Sequence, residues 1–125
     1  MKVTAGIFRK DDSVLLMRRA TSEPLAGAWE YPGGKFEQGE DGPVCLRREL
    51  QEELGIDAKI GNLITIARMP LNYGKELELY AYEVLDYAGE IVLRVHDRAE
   101  WVSLADLLGH SQLPADLMIS KVLVK

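Results

Sequence analysis

A chain of 125 residues, 47% of them hydrophobic, is long enough for one domain, residues 1–125, with a true core. It holds no apolar run long enough for a helix to cross a bilayer, and its start is too soon charged to be a secretory signal. The net charge of −5 argues against a nucleic-acid polymer as partner, and the lone Cys45 excludes a disulfide framework and thiolate metal clusters, so a reducing cytoplasm is the expected compartment.

Lys2 to Phe8 reads as a strand, with Val3, Ala5 and Ile7 alternating against Lys2, Thr4 and Gly6. Asp11-Asp12-Ser13 is a turn. Val14 to Met17 reads as a more buried strand ending at Arg18-Arg19. A loop around Pro24 leads to a short strand, Trp29 to Tyr31, before Pro32-Gly33-Gly34. A helix starts near Asp41 to Val44, where Asp41 can cap and Pro43 suits the first turn. It ends at Leu54 with Gly55 beyond, and Leu46, Leu50 and Leu54 form its apolar stripe. Ala58 to Met69 is a strand interrupted at Gly61-Asn62. The turn Asn72-Tyr73-Gly74 joins it to the alternating strand Glu76 to Leu85 as a hairpin. Ile91 to Val95 and Glu100 to Val102 read as two further short strands. Ser103 is expected to cap a helical turn from Leu104 to Leu108, and a last helix runs from about Pro114 to Val124. The pattern is α+β, a mixed sheet flanked by helices.

Chemistry concentrates in the first helix. Glu49, Glu52 and Glu53 stand at i, i+3 and i+4, so they crowd one face. They also sit in the last two turns, where the helix dipole disfavours negative charge. Such a placement suggests a compensating cation, and clustered hard oxygens suit magnesium, with manganese as a substitute. Seven of the twenty acids fall between Glu37 and Asp57. Beside a polyphosphate, that excess makes sense only with metal ions between.

The run Gly34, Glu40, Arg48-Glu49-Leu50, Glu52-Glu53, Gly55 and Ile56 matches every fixed position of the Nudix box, residues 34–56, and the chain resembles a Nudix hydrolase. Arg18-Arg19-Ala20, Trp29 to Lys35, Trp101 to Leu104 and Leu113 to Asp116 extend the resemblance to the MutT-like nucleoside-triphosphate pyrophosphohydrolases. It implies an α/β/α sandwich around a mixed sheet and Mg²⁺-dependent release of pyrophosphate from a nucleoside triphosphate. Oxidised or non-standard nucleotides are one expected substrate class. A carbonyl of Gly33 or Gly34, with Glu49, Glu52 and Glu53, is the implied metal-ligand set. Arg48 would orient those carboxylates, and Glu40 would brace the loop against the helix.

The resemblance also implies that Asp116 reads the base edge and that Arg19 reaches the nucleotide. Lys35, Tyr31 and Tyr80 complete the expected substrate contacts. One position departs from the pattern: the family's frequent glutamate six residues before the tryptophan is Val95 here. The general base is then His96 or Asp97, which follow at once, or else Glu52 or Glu53. Plainer roles stay open for several of these groups. Asp116 suits a first-turn acid, Arg19 an ordinary strand-end charge, and Tyr80 a sheet face. Hydrolysis of ADP-ribose, hinted at by Pro70, and a nucleotide-binding module without turnover are the competing functions. The chain is expected to act as a monomer or weak homodimer.

Overall fold

The computed structural model describes residues 1–125. In chain order the elements are β1 (Lys2–Lys10), β2 (Ser13–Arg19), β3 (Trp29–Glu30), α1 (Gly42–Leu54), β4 (Asp57–Pro70), β5 (Glu76–Ala88), β6 (His96–Ser103) and α2 (Pro114–Leu123). The sheet is mixed. β1 runs parallel to β5, with Lys2 opposite Glu78, while β4 pairs antiparallel with β5.

β2 divides its pairing. One edge meets β1 only at Arg9–Val14 and Lys10–Ser13, then meets β3 at Met17–Glu30 and Arg18–Trp29. The other edge carries β6 from Ser13 to Arg19. β1 and β2 therefore fork, and the segment after β3 fills the fork. Gly6 N–H donates to Pro32 O (2.7 Å), Thr4 N–H to Gly34 O (2.8 Å) and Phe36 N–H to Lys2 O (3.1 Å). This strap carries Pro32-Gly33-Gly34 into the middle of the sheet.

Alternation sorts the strands onto two faces. Ala5, Ile7, Val14 and Leu16 pack towards α2, around Ile119 and Leu123. Phe8, Leu15 and Met17 pack towards α1, around Leu46, Leu50 and Leu54. Those three leucines are fully buried. Each contributes about 1.5–3 kcal/mol of transfer energy, and truncating Leu50 to alanine would cost about 2–5 kcal/mol. The sheet with a helix on each face is the expected sandwich.

The acidic helix is closed at both ends. Asp41 Oδ1 accepts the Val44 N–H at 2.9 Å, and Gly55 is left-handed (φ 70°, ψ 24°), its N–H donating to Gln51 O. No basic residue lies in the last turn. The missing cation arrives from elsewhere: Arg94 Nη1 donates to Glu52 O at 2.6 Å, and Val92 N–H to Leu54 O at 2.9 Å.

That arrangement corrects the strand expected at Ile91–Val95. Ile91 and Leu93 do pack against the α1 core, so their alternation reports burial. Their neighbours, however, bond to the end of a helix, and β6 begins only at His96. The helical turn expected at Leu104–Leu108 is a 3₁₀ turn at Leu107–Gly109, with Ser103 Oγ accepting the Asp106 N–H at 3.3 Å just before it. β4 is irregular between Lys59 and Thr65, at the expected Gly61-Asn62 interruption. No helix is long and apolar enough to cross a membrane.

Candidate active site

Arg48 is the knot of the acidic ridge. Its Nε donates to Glu40 Oε2 (2.6 Å) and its Nη2 to Glu40 Oε1 (2.9 Å), a bidentate pair. Its Nη1 donates to Glu49 Oε1 (2.9 Å) and Glu52 Oε2 (3.1 Å), and Nη2 also reaches Lys35 O (3.0 Å). One guanidinium thus ties strap, loop and helix together. Glu40 also accepts the Glu37 N–H at 2.8 Å. The Arg48 bonds, chiefly, hold its carboxyl down to about 2.

The three helix carboxylates differ. Glu52 is 57% exposed at its side chain and leans on Arg48. Glu49 is 15% exposed and packs over Gly34, where any Cβ would overlap its carboxylate. Burial raises its pKa despite Arg48. Glu53 has no cationic partner. Burial, then the nearby charges of Glu49 and Glu30, push it up to about 8 against the pull of Arg19. Two half-buried carboxyls within proton-sharing reach of each other suit a hard divalent cation between them. No three acidic, histidine or cysteine side chains form a finished cage in this arrangement.

The strap separates the two glycine carbonyls. Gly34 O accepts from Thr4 N–H, Thr4 Oγ1 (3.2 Å) and Cys45 Sγ (3.6 Å), so of the two expected carbonyls it is the one engaged by β1 and α1. Gly33 O accepts no protein hydrogen bond. A Cβ at Gly33 would overlap Thr4 O, so only glycine fits this approach.

Beside the ridge lies a cavity of about 420 Å³. Met69, Leu77 and Leu79 supply apolar walls, and Arg19, Glu30, Lys35 and Asp116 line it with charge. Asp116 is buried at the first turn of α2. Its Oδ1 accepts the Tyr31 N–H at 3.0 Å, and burial pushes it up to about 7. Tyr31 lines the cavity too, but its hydroxyl is locked to Ser120 Oγ (2.6 Å) and pushed up to about 12, mainly by burial. Lys35 is an exposed rim residue.

Other candidates lie elsewhere. Tyr80 is absent from the cavity wall. Leu77, Leu79 and Ala81 face α2, whereas Tyr80 stacks edge-on with Phe36 (5.4 Å). Asp97 is engaged by Arg18 at 2.8 Å, which lowers its pKa, and does not line the cavity. His96 is fully enclosed, its Nε2 2.8 Å from Glu30 Oε2. Arg19 Nη1 reaches the same oxygen at 2.9 Å, and Arg19 Nε donates to Pro24 O. Sequence alone assigns Glu30 no role. A lone acid between Trp29 and Tyr31 in a strand was its one signal.

Residues 1–121 match the NUDIX domain family. The CTP pyrophosphohydrolase of Escherichia coli (strain K12) is 34% identical over 117 residues, spanning 94% of this chain and 86% of that protein. The 8-oxo-dGTP diphosphatase of the same strain is 31% identical over 120 residues, 93% of this chain and 90% of that one. The solution structure of the E. coli ORF135 protein superposes with a TM-score of 0.87 at 33% identity, covering 97% of this chain and 86% of the other. The chain belongs to the NUDIX domain family, as a pyrophosphohydrolase of the MutT-like branch.

Proposed function

We propose that this chain hydrolyses a nucleoside triphosphate to the monophosphate and pyrophosphate, and that its base carries an exocyclic amine, as CTP and 8-oxo-dGTP do. One observation supports this above others. The cavity that holds Asp116 is also lined by Gly33 and Lys35, on either side of Gly34, over which Glu49 of the ridge packs. A base in the cavity leaves its phosphates over the ridge.

Gly33 O, Glu49, Glu52 and Glu53 are the groups proposed to hold Mg²⁺, with Mn²⁺ as substitute. A divalent ion there supplies charge neutralisation for the phosphates and an acidified water. Arg48 keeps Glu49 and Glu52 in place. Glu53, without a cationic partner, is the residue proposed to take the proton from the attacking water. Asp116 accepts from the base amine, and the Met69, Leu77 and Leu79 walls exclude water around it. The proposed setting is a cytoplasmic nucleotide pool.

The test is a panel of CTP, dCTP, dGTP, 8-oxo-dGTP and ADP-ribose with Mg²⁺, read as released pyrophosphate or monophosphate. Turnover of one or more triphosphates is expected. Cleavage of ADP-ribose alone would replace this reading with the ADP-ribose one. Tight nucleotide binding without any turnover would make the chain a binding module.

A further inference from the structure

Glu30 has one oxygen held and one offered. Oε2 accepts from Arg19 Nη1 at 2.9 Å and from His96 Nε2 at 2.8 Å. Oε1 accepts from no protein donor and is not sealed from solvent, since the one buried polar side-chain atom without a partner is His96 Nδ1. Glu30 is 15% exposed and lines the cavity.

His96 makes sense only through that contact. Its ring is completely enclosed, so it touches no substrate. Donation from Nε2 to the carboxylate leaves the other ring nitrogen, Nδ1, buried with no partner, which is unfavourable for folding. An apolar side chain of similar bulk would avoid that cost. The imidazole is carried for what Nε2 does to Glu30.

Glu30 lines the cavity together with Asp116, and its charge bears on both Asp116 and Glu53. Between the base and the phosphates of a nucleotide lies the sugar. A bare carboxylate oxygen repels a phosphate and attracts a hydroxyl donor. We propose that Glu30 Oε1 accepts a hydrogen bond from a sugar hydroxyl of the nucleotide, and that His96 is the positioning residue that, with Arg19, fixes Glu30 for it. The inference rests on the nucleotide reading above and adds a sugar-reading group to it.

The experiment takes one triphosphate that the wild type hydrolyses, in its ribo, 2′-deoxy and 3′-deoxy forms, and measures kcat and KM. In the wild type, loss of one of the two hydroxyls raises KM about tenfold, the effect of one hydrogen bond to a charged group, with little change in kcat. The arm that shows the penalty names the hydroxyl. His96→Gln places an amide donor near the Nε2 position and keeps the discrimination. His96→Leu and His96→Asn, which place none there, bring it below about threefold by raising KM for the full sugar alone.

Glu30→Gln provides a second route if those variants fail to fold. With its amide oxygen claimed by Arg19 and His96, its NH₂ is left to donate to the hydroxyl oxygen, so the charge-assisted bond becomes a neutral one and the discrimination falls to about threefold or less. Equal losses on all three sugars in His96→Leu would make His96 merely structural and overturn the proposal. So would a wild type indifferent to both hydroxyls while hydrolysing the triphosphate, and in that case the nucleotide reading stands. A wild type that hydrolyses no triphosphate removes both.

Discussion

Asp116→Asn is the sharpest perturbation of the cavity. The native carboxyl is buried, so its pKa moves from 3.8 to about 7, with the charge of Glu30 adding to the burial. At about 1.36 kcal/mol per pH unit, that displacement is worth about 4 kcal/mol. Below pH 3.8 both folded and unfolded chains hold the proton, and the residue exerts no pH effect. Between 3.8 and about 7 the unfolded chain has released it while the folded chain keeps it, so stability falls as pH rises. Above about 7 both are ionised and the penalty is constant. Asparagine keeps an Oδ1 for the Tyr31 N–H and never ionises. Urea unfolding of metal-free protein should therefore show the variant gaining on the wild type by about 4 kcal/mol between about pH 4 and pH 8. A gap that stays within about 0.5 kcal/mol across that range would refute the burial argument.

Glu53→Gln should separate stability from activity. Neutralising a buried carboxyl beside Glu49 raises the metal-free stability at pH 7 by up to about 3 kcal/mol, while kcat falls about 10²-fold or more. Urea midpoints and steady-state rates check both, and a kcat loss of tenfold or less would remove Glu53 from the mechanism. Mg²⁺ should raise the wild-type melting temperature progressively with concentration, by mass action, and leave Glu53→Gln unmoved. Equal shifts in both proteins would place the ion elsewhere. Gly34→Ala drives a methyl into the Glu49 carboxylate, the movable end of its side chain, and should cost little stability but at least about tenfold in kcat/KM. Gly109→Ala meets open space and serves as the neutral control.

Local signals carried far in this chain. Asp41, Pro43 and Gly55 mark the ends of α1 because capping is written into adjacent residues. The leucine stripe and the Arg48–Glu49–Glu52 contacts follow from helical spacing, which fixes neighbours without reference to the rest of the fold. The failures lie where meaning depends on pairing. Ile91 to Val95 alternates like a strand, yet its hydrogen bonds go to the end of α1. Glu30 becomes important only because β2 sets it across from Met17 and because β6 brings His96 to Arg19. His96 and Asp97 are adjacent in sequence, but one is enclosed behind Glu30 and the other held by Arg18. The choice between Gly33 and Gly34 turns on which carbonyl the strap spends on β1, which no spacing reveals.

The parallel pairing of Lys2 with Glu78 has a consequence for synthesis on the ribosome. The first strand to emerge must wait for one of the later ones before that edge is satisfied, and long-range closure of this kind is slow. Until β5 leaves the exit tunnel, the N-terminal hairpin presents an unpaired, largely apolar border to every other nascent chain nearby. A messenger truncated before the codon for Glu76 would thus yield a sticky product, and chaperone demand should fall only once Ala88 has cleared the tunnel.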